Sequence, residues 1–234
     1  MDDRVIAIDG PAGSGKSTAA RRLADAIGYT YLNTGAMYRA VAFVATESGI
    51  DLNDPKKACN ISEVAAIMRF EYQIHGGLQR FIVNGIDRTE ALFTAALTGQ
   101  LKPVVNNVQV REILVGKMRA AAHAVIVAGA KGVVMEGRDI GTVVFPDAPI
   151  KFYIHADLDA RTRRRAMELE ARGDKFDLEG LRKQIQYRDD TDRAREVGKL
   201  IQAEDAIDID TTHLNEEMTL QRLVKEVRNL GWAG

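Results

Sequence analysis

The chain has 234 residues, long enough for one sizeable core plus an insertion. Its 32 Lys and Arg against 33 Asp and Glu give a formal net charge of -1, and 46% hydrophobic with 28% charged residues is ordinary globular composition, which excludes a disordered chain and a general nucleic-acid coat. The single cysteine, Cys59, excludes an intrachain disulfide and a cysteine-cluster zinc or iron–sulfur site, and fits a reducing compartment.

The first residues, Met-Asp-Asp-Arg, carry no long apolar run. The richest apolar stretch, Ala120 to Met135, is interrupted by His123, Gly129, Lys131 and Gly132, so a soluble cytoplasmic protein is expected. Val5 to Ile8 is a continuous apolar run ending at Asp9-Gly10, the pattern of a strand buried on both faces of a parallel sheet. Ala19, Ala20, Leu23, Ala24 and Ile27 recur at helical spacing between Lys16 and Ile27, and Gly28 can end that helix with a left-handed residue. Tyr29 to Leu32 reads as a second strand, and Thr34 as the cap of a helix from Gly35 to about Ser48, stopped at Gly49.

From Phe70 to Asp87 the pattern alternates, breaks at His75-Gly76-Gly77, and meets the hairpin dipeptide Asn84-Gly85, which predicts a small antiparallel insert. Helical spacing returns over Val110, Ile113, Leu114, Met118 and Ala121. Val133 to Met135, Ile150 to Ile154 and Ala206 to Ile209 are short buried-strand candidates. Asp157 can cap a helix through Ala171, Gly173-Asp174 breaks it, and a polar helix follows from Leu178 to about Arg195, with a closing helix over Met218 to Leu230. Strands alternating with helices predict an α/β, doubly wound parallel sheet.

The segment Gly10-Pro11-Ala12-Gly13-Ser14-Gly15-Lys16-Ser17 fits the phosphate-loop pattern and lies between a buried strand and an amphipathic helix, the context that gives the pattern meaning. Glycines let backbone N–H groups curl round phosphate oxygens, the helix N-terminus adds partial positive charge, Lys16 adds a full one, and the Ser17 hydroxyl suits Mg²⁺. This points to a nucleoside triphosphate. The acceptor must be read elsewhere. Arg138 follows a strand end, where ligands of open α/β sheets bind. In Arg161-Thr162-Arg163-Arg164-Arg165, Arg161 and Arg165 are helical neighbours that repel unless an anion separates them. Spacing leaves three readings of this run open, a solvated face balanced by Glu168 and Glu170, a nucleic-acid patch, or a lid carrying guanidinium groups to a transferring phosphoryl. His75, His123, His155 and His213 show no metal-ligand spacing, and Tyr29, Tyr31 and Trp232 read as packing residues.

With GPAGSGKST (Gly10 to Thr18), TGAMYR (Thr34 to Arg39), VRE (Val110 to Glu112), GRDIGTVVFPDAP (Gly137 to Pro149), the arginine run, RDDTDRAR (Arg188 to Arg195) and DIDTT (Asp208 to Thr212) placed, the chain resembles the bacterial cytidylate kinase family nearly end to end. These are nucleoside monophosphate kinases that phosphorylate CMP and dCMP with ATP. The resemblance implies one domain over 1–234, of P-loop NTPase type, with an insert at about 61–97 on the monophosphate side and a helical lid at about 157–195. It implies ATP on Gly10, Pro11, Ala12, Gly13, Ser14, Gly15, Lys16, Ser17 and Thr18, and Mg²⁺ on Ser17 with water-mediated help from Glu136. Lys16, Arg161, Arg164 and Arg165 would be catalytic. Thr34, Tyr38, Arg39, Arg111, Arg138, Asp139, Arg188, Asp192 and Arg195 would bind CMP. Among these, Arg39, Arg138 and Arg195 would take the acceptor phosphate, Arg188 and Asp192 the ribose, and Arg111 and Asp139 the base.

The chain departs from the family pattern at Asn33 and Glu136, where the family usually has Asp, at Phe93, where an arginine is expected, and at Lys102, about where a base-contacting serine is expected. The expected partners are small molecules, with no nucleic acid and no membrane, and the protein is expected to act as a monomer. Two alternatives stand beside this reading: a kinase of another small metabolite or nucleotide, and a nucleotide-dependent switch or RNA-binding ATPase using the arginine run as a basic patch.

Overall fold

The structure, a computed structural model, describes residues 4–75, 78–171 and 173–232. The N-terminal Met-Asp-Asp and the glycines of the His75-Gly76-Gly77 break lie outside the described residues. In chain order the first elements are β1 (Val5–Asp9), α1 (Lys16–Ile27), β2 (Thr30–Asn33), α2 (Gly35–Glu47), α3 (Ala58–Ile67), β3 (Phe70–His75), β4 (Leu78–Val83) and β5 (Ile86–Asp87). There follow α4 (Ala95–Gly99), α5 (Lys102–Asn106), α6 (Val108–Val127), β6 (Val133–Gly137), β7 (Ile150–His155), α7 (Leu158–Ala171), α8 (Leu178–Ala194), β8 (Ile207–Asp210) and α9 (Glu216–Asn229). The chain divides into two compact units, Met1–Tyr31 with Val125–Gly234, and Leu32–Ala124.

The first unit is built on a five-stranded sheet of order β2-β6-β1-β7-β8. Strand β1 runs parallel to β6, pairing Ile6 with Val134, and parallel to β7, pairing Ile6 with Ile150; β7 runs parallel to β8. All five β1 residues are buried, as a strand covered on both faces requires. Ile6 and Ile8 pack with Ala20, Leu23 and Ala24 of α1, Phe152 and Ile154 of β7, and Leu223 and Val227 of α9. Tyr29, Tyr31 and Trp232 pack against this core, in keeping with their reading as packing residues. Helices α7 and α8 join through a smaller cluster of Ala166, Leu181 and Ile185, with Phe176 against it. Asp157 caps α7, its Oδ1 accepting from the Ala160 N–H at 2.6 Å, and Asp177 caps α8 through the N–H groups of Glu179 and Gly180.

In the second unit β3, β4 and β5 form an antiparallel sheet. Asn84 (φ 51°) and Gly85 (φ 83°) both take the left-handed region between β4 and β5, the turn that this dipeptide favours. Phe70, Tyr72, Phe81 and Phe93 form a chain of ring contacts along the sheet, with centroids 5.0 to 6.1 Å apart.

Four local features differ from the sequence expectations. Strand β2 starts one residue late, and α3, α4 and α5 were not expected at all. A signal for α3 was present in Asp54-Pro55, where the Asp54 side chain accepts from the Lys56 N–H ahead of the buried Ile61, Val64 and Ala65. Thr34 does not cap α2: it is already helical (φ -73°, ψ -27°) and makes no side-chain cap bond. The cap bond comes from Asn33, one residue earlier, whose Oδ1 accepts from the Ala36 N–H at 3.2 Å. Finally, Ile140–Val144 forms a single wide π turn, with the Val144 N–H donating to the Asp139 carbonyl at 3.1 Å.

Candidate active site

The site begins where β1 ends. Gly10 must be glycine because a Cβ there would lie 2.0 Å from the Ile154 carbonyl oxygen of the neighbouring strand. The chain then curls through Gly13 and Gly15 into α1, whose first-turn N–H groups have no partner within the helix. Lys16 folds over this loop, Nζ donating to the Pro11 carbonyl at 3.2 Å. Its ammonium is pushed down to about 7, chiefly by burial and then by the Arg138 charge, with Glu136 opposing. An anion bound at the loop would reverse that penalty. Ser14 Oγ is buried with no hydrogen-bond partner, an orphan donor inside the loop.

Ser17 Oγ donates to Glu136 Oε1 at 2.9 Å, and the Tyr31 hydroxyl donates to the same oxygen at 3.2 Å. Glu136 is buried at the end of β6. A hydroxyl and a carboxylate are the hard oxygen ligands that Mg²⁺ takes, with phosphate and water completing its shell. Among the described residues no group of three or more His, Cys, Asp or Glu side chains could hold a metal ion by itself.

Beside these residues Asp192, 2% exposed, holds two arginines: Oδ2 accepts from Arg138 Nε at 2.8 Å and Oδ1 accepts from Arg195 Nη2. Burial alone would raise the Asp192 carboxyl, but Arg138 and Arg195 outweigh it and hold it below the usual carboxylate range. The structure thus gathers Arg138, Asp192 and Arg195, three residues 54 and 3 positions apart in sequence. Arg188 lies on the same helix, α8, and Asp139, next to Arg138, is buried.

Sequence reasoning missed two buried carboxylates here. Asp9 closes β1 and accepts from the N–H groups of Ile140 (2.8 Å) and Gly141 (2.7 Å), which fixes the turn that carries Arg138 and Asp139. Its carboxyl is raised to about 7 by burial, against the lowering pull of those two N–H bonds. Asp189, fully buried, accepts from the Ala12 N–H at 3.2 Å, so that amide is already engaged within the phosphate loop. Pro11 has no N–H to offer.

The arginine run divides: Arg165 takes the Glu168 partner of the solvated-face reading, while Arg161 and Arg164 take partners that the sequence did not suggest. Arg161 and Arg165 do not rely on a shared anion to relieve their repulsion. Arg161 is 5% exposed and pairs with Asp189, while Nε donates to Ala156 O at 2.9 Å and Nη1 to Ala12 O at 3.1 Å. Arg165 pairs with Glu168 at 2.7 Å. Arg164 bridges the phosphate loop to the segment after β8, Nη1 donating to Ser14 O at 3.5 Å and to Thr211 Oγ1 at 3.1 Å, and Nη2 to Leu214 O at 3.2 Å and to Thr211 O.

Thr34, Tyr38, Arg39 and Arg111 belong to the second unit. Arg39 Nη1 donates to Thr98 Oγ1 (2.7 Å) and Leu92 O (3.1 Å), and its guanidinium lies over the Phe93 ring at 5.0 Å, so the unexpected phenylalanine supports an arginine. Arg111, 3% exposed, lies over Tyr38 at 5.3 Å and donates to Val105 O at 3.1 Å.

A parallel sheet with a phosphate loop at the carboxyl end of its central strand, a lysine over the loop and a hydroxyl–carboxylate pair beside it, defines a P-loop nucleotide-binding α/β protein. The sequence model of the cytidylate kinase family matches residues 6–229. Similar proteins include cytidylate kinases of Geobacter sulfurreducens (39% identity, covering 96% of this chain and 92% of that protein), Geobacillus kaustophilus (41%, 95% of each) and Stutzerimonas stutzeri (40%, 98% and 97%). The chain belongs to the cytidylate kinase family. Among the described residues no helix is long and apolar enough to cross a membrane.

Proposed function

We propose that this chain transfers the γ-phosphoryl group of ATP to CMP or dCMP, giving ADP and CDP or dCDP, in the cytoplasm and as a monomer. The observation that carries the reading is the family match over 6–229 on a chain whose phosphate loop holds a buried lysine and an orphan serine donor.

The acceptor phosphate is already an anionic oxygen nucleophile at neutral pH, so no strong general base is needed. One of its oxygens forms the new P–O bond to the γ-phosphorus as the bond to the β,γ-bridging oxygen breaks, and ADP departs with those electrons. The protein supplies position and charge. Backbone N–H groups of residues 13 to 18 and the Ser14 hydroxyl hold the ATP phosphates. Lys16, with Arg164 and Arg165 of α7, offsets charge on the transferring group.

Ser17, with water-mediated help from Glu136, would hold a Mg²⁺ carried by the nucleotide, which would supply charge neutralisation at the phosphate oxygens. Arg138, Arg195 and Arg39 hold the acceptor phosphate. Asp192 uses one lone pair on each oxygen for its arginines and keeps others for a ribose hydroxyl, alongside Arg188. Arg111 donates to cytosine O2 and N3, and Asp139 accepts from the 4-amino group. Uracil would turn O4 toward Asp139, acceptor against acceptor. Thr34 and Tyr38 complete the acceptor set.

The test is a coupled ADP-release assay with ATP, Mg²⁺ and a panel of CMP, dCMP, UMP, AMP, GMP and shikimate. Turnover should be greatest with CMP and dCMP. ADP release independent of every acceptor would mark a hydrolytic switch and defeat the proposal.

A further inference from the structure

We propose that Asp189 and Arg161 are a positioning pair that sets the shape of the phosphate loop from behind, and that Arg161 acts through this pair and not by touching the transferring phosphoryl. The proposal rests on the reading that Gly10 to Thr18 binds ATP.

Two successive peptide planes of the loop are held. The Ala12 N–H, on the Pro11–Ala12 plane, donates to Asp189 Oδ1 at 3.2 Å. The Ala12 carbonyl, on the Ala12–Gly13 plane, accepts from Arg161 Nη1 at 3.1 Å. The same Nη1 donates to Asp189 Oδ2, and Arg161 Nε is anchored on the Ala156 carbonyl at 2.9 Å, just past the end of β7. Fixing both planes fixes the φ and ψ of Ala12. Because N–H and C=O point in opposite directions across a trans peptide, turning the Ala12 carbonyl to Arg161 aims the Gly13 N–H away from it. The loop backbone also lies close: a Cβ on Gly13 would sit 3.4 Å from both Cβ and O of Arg161.

Charge gives the pair its logic. A buried ion pair adds little net stability, so stability alone does not account for it. Asp189 puts a carboxylate against the backbone of a loop that must receive phosphates, and the Arg161 guanidinium cancels that charge at hydrogen-bond distance. Removing Arg161 alone therefore does two things: it frees the Ala12 carbonyl and leaves an uncompensated anion where another anion must bind.

The experiment measures equilibrium binding of MgATP and of CMP by calorimetry to the wild type, Asp189→Asn, Arg161→Met and the double variant, with thermal unfolding as a fold control. Arg161→Met should weaken MgATP binding by about tenfold or more while CMP binding stays within about threefold. Adding Asp189→Asn should restore most of the lost MgATP affinity, because the stranded charge is gone and the Asn Oδ1 still accepts from Ala12.

An arginine that touched phosphate directly would give no such rescue, and a double variant as weak as Arg161→Met overturns the proposal. If Arg161→Met does not fold, the comparison falls to Asp189→Asn against the double variant. The pair predicts MgATP affinities within about threefold of each other, and a further tenfold loss in the double refutes it. A wild type that fails to bind MgATP defeats the function proposed above. A wild type that binds, with variants that bind equally well, defeats only the pair.

Discussion

Asp9→Asn separates the charge of this buried carboxylate from its shape. In the wild type Asp9 ionises at about 7 in the folded protein, against 3.8 as its ordinary value, because burial outweighs the two N–H bonds from Ile140 and Gly141. A carboxyl whose folded value is raised stabilises the protein most below its unfolded value, and that contribution is lost as pH rises to the folded value. The move from 3.8 to about 7 corresponds to roughly 4 kcal/mol at about 1.4 kcal/mol for each pH unit. Asparagine has no such titration.

Its Oδ1 can accept one of the two N–H bonds, but its NH₂ then faces the other N–H, donor against donor, at a cost of about 1 to 3 kcal/mol. Asp9→Asn should therefore be clearly less stable than wild type at pH 4.5. The gap should close by about 3 kcal/mol by pH 7, as the wild type loses stability that the variant does not. Urea unfolding of both proteins at pH 4.5, 5.5, 6.5 and 7.5 gives the difference directly, since all other groups titrate in both. A difference that is flat across this range, or that widens toward pH 7, refutes the account of Asp9 as a carboxylate ionised against burial.

Lys16→Ala should lower kcat by about a thousandfold, through loss of the charge on the transferring group, without lowering the unfolding midpoint, because the ammonium is held at a burial cost. Rapid turnover with unchanged ATP affinity would contradict the loop assignment. Asp139→Asn should cost about 1.5 to 3 kcal/mol in kcat/KM for CMP and narrow the gap between CMP and UMP, because the repulsive contact with O4 disappears. An unchanged CMP to UMP ratio would assign Asp139 to local structure and not to the base. Arg165→Ala removes only a half-exposed pair with Glu168, so unfolding should shift by less than about 0.5 kcal/mol while kcat falls far more than KM for CMP rises. Equal small effects on both constants would return Arg165 to the solvated face.

Legibility in the sequence followed the range of the interactions. The buried run Val5 to Ile8, the glycine spacing of the phosphate loop, Gly28, Asn84-Gly85 and the Asp157 cap were readable because each is decided by residues a few positions apart: strand and helix periods, left-handed turns and caps are local physics. Where the local signal was ambiguous, as at Thr34, the structure chose the adjacent Asn33, whose side chain reached the Ala36 N–H while Thr34 had already turned helical. Asp9 and Asp189 were invisible as site residues because what makes them matter is 131 and 177 positions away in the chain, at Ile140 and Ala12.

The arginine run shows the same division most sharply. Spacing alone could count its charges but not tell Arg161, closed on Asp189 and two backbone carbonyls, from Arg165 at the edge of solvent. By itself the sequence determined an α/β sheet with a phosphate loop and the family to which the chain belongs. Only the tertiary structure decided which charges are neutralised, because burial and the partner that balances each charge depend on segments brought together by folding.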